Sequence, residues 1–146
     1  MNEKHFRTSL DLTIHTILAL ILAWFLYWVS GELLWAILGI IGGILIDVDH
    51  FFDYFKYYGF RFSFKDFFGH KYLESGKTYT FLHSVELILV LWVLAVKFIW
   101  ITPLALGMTI HILTDYAIHR RKTPECLFLI YRWRHKFNYN KLKPIR

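Results

Sequence analysis

An all-α integral membrane protein, a four-helix bundle with amphipathic segments lying at one interface, is the fold class that the sequence predicts. Three observations predict it: an oily composition, long runs without charge, and basic residues gathered between those runs. The 146 residues are 56% hydrophobic and 20% aromatic but only 19% charged, and the mean hydropathy is +0.39. Soluble domains carry roughly 25% charged residues. The length suits a single domain over 1–146. One cysteine, Cys126, excludes an internal disulfide framework and any cysteine-cluster zinc site.

Four spans follow in chain order. Residues 10–29 form an apolar run long enough to cross a hydrocarbon core of about 30 Å as a helix. It is longer than a signal-peptide core and no small-residue cleavage pattern follows it, so it reads as a permanent helix despite the basic Lys4 and Arg7 before it. Ser30-Gly31 breaks the run, and residues 32–46 give a second, shorter span. Residues 81–101 give a third, interrupted by Glu86 and Lys97, and residues 103–118 a fourth, opened by Pro103 at a favourable first-turn position. A short turn near Trp100–Pro103 joins the last two, and a long loop, 47–80, joins the middle two.

Lysine and arginine set the orientation. Two precede the first span, five lie in the 47–80 loop and nine follow residue 118, which leaves Lys97 alone at the opposite side. Four crossings put those three regions on one face. The positive-inside rule makes that face cytoplasmic, with both termini and a basic tail, 119–146, inside. The net charge of +6 therefore reads as topology and attraction to membrane lipids. Nucleic acid is a poorer partner, because no nucleic-acid module accompanies the basic clusters. Between Phe51 and Tyr72, twelve of 22 residues are Phe or Tyr, interleaved with Lys56, Arg61, Lys65 and Lys71. Such a mixture suits amphipathic segments in the headgroup layer, as does the tail from Cys126 onward.

Ionisable groups inside spanning helices are costly and usually functional. Here they fall at His15, at Asp47-Val48-Asp49-His50, at His83, and at His111, Asp115 and His119. The topology places all of them toward the inner side, so separation in sequence becomes convergence in space. Singly, each has a plain structural explanation: a hydrogen-bonded histidine, a capping aspartate, an interfacial base. Jointly they form an imidazole and carboxylate set suited to a divalent ion, Zn²⁺ first and then Mn²⁺ or Fe²⁺. His111 and Asp115 are one helical turn apart, as are Asp115 and His119. His111 and His119 lie about 12 Å apart along the axis, so all three can serve only if Asp115 bridges two ions. The expected ligands are His15, Asp47, Asp49, His50, His83, His111 and Asp115, with His119 a further candidate, for one ion or two. Lys77 or Arg120 is placed to hold a phosphate.

With these residues in view, a family resemblance emerges. Residues 45–50 look like the PDxDH element of the small membrane-bound metal-dependent hydrolases of the YdjM type. Residues 81–84 resemble their THS element, His111 and Asp115 their HxxxD element, and His15 their first-helix histidine. Ile46, Leu82 and Ile14 depart from the pattern, and Lys77 and Thr78 stand where a His-Arg pair is expected. That family is in turn similar to the zinc-dependent phospholipase C and P1 nuclease group. The resemblance implies a metal-dependent hydrolase acting on a phospholipid or another amphiphilic phosphoester at the cytoplasmic leaflet. Asp49, the carboxylate turned furthest from the cluster, is then the expected general base. The competing reading is a non-enzymatic metal-binding membrane protein, a sensor or scaffold. Metal conduction is disfavoured, because the outer halves of the spans carry no ligands.

Overall fold

The protein is described here by a computed structural model covering residues 3–118 and 124–142. Among the described residues it is all-helical, with one isolated bridge, Lys77 to Asn138, as the only extended pairing. Helix α1 runs from Glu3 to Ser30. It stops at Gly31, whose φ of 71° a side-chain-bearing residue rarely adopts and whose N–H closes on the Tyr27 carbonyl at 2.8 Å. Helix α2 (Leu33–Ile44) leads through a 3₁₀ turn (Leu45–Val48) into α3 (Asp49–Tyr58). After α4 (Phe64–Phe68) and a 3₁₀ turn (Lys71–Ser75), α5 (Val85–Lys97) and a short turn (Ile99–Ile101) lead into α6 (Thr102–Ile118). The tail contributes a 3₁₀ turn (Pro124–Leu127), α7 (Leu129–Arg134) and α8 (Tyr139–Leu142).

Three helical runs are long and apolar enough to cross a membrane: Leu10–Ser30, Leu33–Tyr58 and Ile99–Ile118. The expected third span over 81–101 is shorter, because α5 has 13 residues, about 20 Å at 1.5 Å per residue. Residues 81–84 stay out of the helix for a tertiary reason: the Leu82 N–H is taken by the Asp49 carboxylate at 2.8 Å, and Ser84 caps α5 by accepting from Leu87. The second run, conversely, outlasts the expected 32–46. Helix continues to Tyr58 and ends at Gly59, which has φ 69°.

Small residues decide how the helices meet. Helix α2 packs most closely on α6 and on α1, and α5 packs on α6. A Cβ on Gly107 would run into the Gly39 carbonyl and the Gly43 nitrogen, and one on Gly42 into the Leu104 carbonyl. In an apolar solvent close backbone approach of this kind is a main source of helix affinity. Gly43 in turn meets Ala19 of α1. Beside this crossing sits the apolar core of Ile46, Ile88, Met108 and Ile112. The outer faces are uncovered: Trp24, Trp28, Val93 and Val96 are each more than two-thirds exposed.

The 47–80 region folds on itself more than a purely interfacial loop does. Tyr54 and Tyr72 are each 1% exposed, and Phe51, Phe62 and Phe67 stack around them with ring centroids 4.3–5.7 Å apart. Offset and edge contacts of this sort contribute beyond simple burial. Phe64 packs on the edge of this cluster against Phe62 at 4.9 Å yet stays mostly exposed, and Phe60 is fully exposed.

Candidate metal centre

Each of the three long helical runs carries a candidate ligand one turn from its small residue: His15 beside Ala19, Asp47 beside Gly43, His111 beside Gly107. The close crossing of small residues therefore forms a layer, and the next turn along presents side chains inward at a common depth. His15, Asp47 and Asp115 stand 13 to 15 residues from the opposite ends of α1, α2 and α6, about 20–22 Å away.

Two groups of metal-capable atoms result. His15, His111 and Asp115 form one, and Asp47, His50 and His83 the other; within each, one ligand atom per residue lies within 4.8 Å of the rest. The groups are joined by carboxylates. Asp47 Oδ1 lies 3.1 Å from His83 Nε2, 3.8 Å from His50 Nε2 and 3.4 Å from His111 Nε2 of the other group. Asp115 lies 3.5 Å from His15 Nε2, 4.0 Å from His111 Nε2 and 3.9 Å from His83 Nε2. The imidazoles form an unbroken row, His15 to His111 to His83 to His50, with centroids 4.1, 5.2 and 5.0 Å apart.

Whether these residues fit a metal is decided by their nitrogens. The His111 Nδ1–H donates to the Gly43 carbonyl at 2.8 Å and the His15 Nδ1–H to the Asp11 carbonyl at 2.9 Å. A carbonyl only accepts, so in both rings Nδ1 carries a proton, which leaves Nε2 as the atom that offers a lone pair when the ring is neutral. Both Nε2 atoms are buried without a hydrogen-bond partner, a costly arrangement unless something else occupies them. Tetrahedral ligands at about 2.05 Å from an ion sit about 3.3 Å from one another. Most of the separations above exceed hydrogen-bond length and bracket that value. The donor set, imidazole and carboxylate without thiolate, fits Zn²⁺, Mn²⁺ or Fe²⁺.

Asp49 is placed differently from its expected role. It is in neither group: its carboxylate lies against the outer nitrogen of His83, Nδ1, at 3.1 Å and accepts the Leu82 N–H. That is the position of a carboxylate that orients a metal-binding histidine. Lys77 is exposed and engages Asn138 of the tail through its backbone; no described contact brings it to the cluster. His119 and Arg120 lie outside the described residues.

Other residues matter that sequence reasoning passed over. Asp53, one turn beyond Asp49 and 4% exposed, accepts from the Thr78 hydroxyl and the Tyr79 N–H at 3.0 Å. Tyr72 is buried near Asp53, Asp47 and Asp49; burial first and those carboxylates second push its hydroxyl well above the usual tyrosine range. Arg132, expected only as part of a basic tail, is 3% exposed beneath the His83 segment. The signal for Asp53 was present: it stands one helical turn beyond Asp49 and is, with Asp66, one of two acids in the Phe51–Tyr72 run. Arg132 carried no such signal. Compared with family models, with curated proteins and with solved structures, the chain gives no match.

Proposed function

We propose that this chain is a membrane-embedded, divalent-metal-dependent hydrolase acting on a phospholipid or another amphiphilic phosphoester at the cytoplasmic leaflet, as its resemblance to the YdjM-type hydrolases suggests. The observation that carries this reading is the sharing of Asp47 and Asp115 between two adjacent histidine groups. Carboxylates placed between two ligand sets suit a pair of ions, the arrangement that phosphoester hydrolysis uses. Bound there, the ions would lower the pKa of a water molecule and polarise the phosphoryl oxygens. The residues of the chain do the rest. His15, His111 and Asp115 would hold one ion and Asp47, His50 and His83 the other, while Asp49 keeps the His83 ring turned inward.

The setting supports an amphiphilic substrate. On this reading the chain crosses as a four-helix bundle with its polar cluster toward the basic side of the membrane, and the 47–80 region and tail lie at that interface. A headgroup phosphate reaches the cluster from the interface while its chains stay in lipid. The competing reading, a metal sensor or scaffold without catalysis, draws on the same cluster and differs only in turnover.

Elemental analysis of the purified protein and hydrolysis of a generic phosphodiester test the proposal together. About two zinc or manganese ions per chain are expected, with activity abolished by a chelator and restored by added metal. Bound metal without chelator-sensitive hydrolysis moves the assignment to the sensor. No bound metal, and none taken up on titration, overturns both.

A further inference from the structure

His83 differs from the other three imidazoles of the cluster. His15, His50 and His111 stand in helices whose own hydrogen-bond ladder fixes the backbone beneath the ring. His83 stands in a non-helical stretch, residues 77–84. Thr80 within it has φ 33°, in the left-handed region that a β-branched residue avoids. Neither helix nor local preference holds this stretch, so the hold must come from outside.

It comes from two sides. The amide side is taken by acids of α3: Asp53 accepts the Tyr79 N–H and Asp49 the Leu82 N–H. The carbonyl side is taken by one guanidinium. Arg132 Nη1 donates to the Thr80 carbonyl at 2.6 Å, to the Tyr79 carbonyl at 3.3 Å and to the Thr80 hydroxyl, while Nη2 donates to the His83 carbonyl at 2.9 Å. Burial draws the pKa of Arg132 down, and the charges of Asp49, Glu86 and Asp53 oppose that; the group stays a cation. The tail that carries it is tied down on either side. Glu86 accepts the Leu129 and Ile130 N–H groups at 2.8 and 3.0 Å, and Thr78 N–H donates to the Phe137 carbonyl at 3.0 Å.

We propose that Arg132 is the positioning residue for His83: its forked guanidinium clamps the Tyr79, Thr80 and His83 carbonyls and so fixes the imidazole between Asp49 and the Asp47–His50 metal group. The clamp needs a fork. A lysine ammonium is a point donor on a flexible stem and cannot replace the two-pronged contact. The inference about metal rests on the two-ion reading above; the inference about the backbone does not.

The test uses the full-length protein in detergent, with Arg132→Met, Arg132→Lys and, as a control that loosens the tail elsewhere, Glu86→Gln. Hydrogen exchange on metal-free protein is read at the Tyr79 and Leu82 amides. Arg132→Met is expected to speed it at least tenfold there and to leave the α6 amides unchanged. Arg132→Lys falls between, and Glu86→Gln, which loosens α7 but keeps the fork, speeds exchange at these amides less than Arg132→Met does. Manganese titration then gives two affinities: in Arg132→Met one ion binds at least tenfold more weakly and the other as before. Unchanged exchange at Tyr79 and Leu82, or equal weakening of both ions, overturns the clamp. If wild type takes up no manganese, the two-ion reading fails, and exchange alone still decides whether Arg132 holds the His83 stretch.

Discussion

His111 Nδ1 lies 2.8 Å from the carbonyl oxygen of Gly43, a contact between α6 and α2 that links helix packing to the candidate metal centre. The same Gly43 stands at the crossing where Gly107 has no room for a methyl group. Backbone proximity of the two helices thus fixes which nitrogen of His111 is protonated and where the other one points. Packing and ligand preparation are one event here, because a shift between α2 and α6 moves both.

Gly107→Ala is accordingly expected to act twice. The added Cβ meets the Gly39 carbonyl and the Gly43 nitrogen, and forcing the helices apart destabilises the fold by about 1–3 kcal/mol. It also lengthens the contact from His111 to Gly43, so metal affinity falls with stability. Thermal unfolding with and without added zinc measures both. A variant that unfolds like wild type and binds zinc as tightly contradicts the link.

Asp49→Asn separates two roles for that residue. With its carboxylate on His83 Nδ1, loss of charge is expected to weaken metal binding about 10–100-fold, the usual cost of disturbing the partner of a metal-binding histidine. A general base would behave otherwise, leaving metal affinity intact while hydrolysis disappears. Zinc competition assays beside activity distinguish the outcomes.

How much of this was legible beforehand depends on whether the cause was local. The apolar runs and the break at Ser30-Gly31 were, since hydropathy and turn chemistry act over neighbouring residues; the second break falls at Phe98, ahead of the expected Trp100–Pro103 turn. The gathering of His15, Asp47, His50, His83, His111 and Asp115 into metal-capable groups was legible too, through the topology. The start of α5 was not: Leu82 leaves the helix because Asp49, 33 residues earlier, takes its N–H. The continuation of α2 into α3 was hidden by charge, since Asp49 and Asp53 resemble a loop until the stretch they hold is known. Arg132 was hidden for the opposite reason, one base among nine following residue 118, distinguished only by burial.

His83→Ala and Asp115→Ala probe the convergence of distant helices. His83 belongs to one group, so its removal is expected to cost one ion and leave the other. Asp115 faces His15, His111 and His83, so its removal is expected to cost one ion and weaken the second. Elemental analysis of both variants beside wild type supplies the numbers. Full metal content in Asp115→Ala means that its carboxylate is not shared.

The number of crossings is open to a chemical test, since α5 alone is shorter than a hydrocarbon core of about 30 Å. Its start beside His83 lies at the depth of Asp115 on α6, and its end leads through Ile99–Ile101 into the start of α6. On the four-crossing proposal, residues 83–98 and 102–115 would be two passes in opposite directions, and with α1 and α2 the two ends of the chain would fall on one side. Native Cys126 is buried and gives little background, so single cysteines report sidedness at the exposed positions Phe60, Lys97 and Lys141. A membrane-impermeant maleimide is expected to label Lys97→Cys in intact cells, and Phe60→Cys and Lys141→Cys only after permeabilisation. Labelling of Lys141→Cys in intact cells leaves three crossings, puts the tail and Phe60 on opposite sides, and is incompatible with Arg132 lying beneath His83.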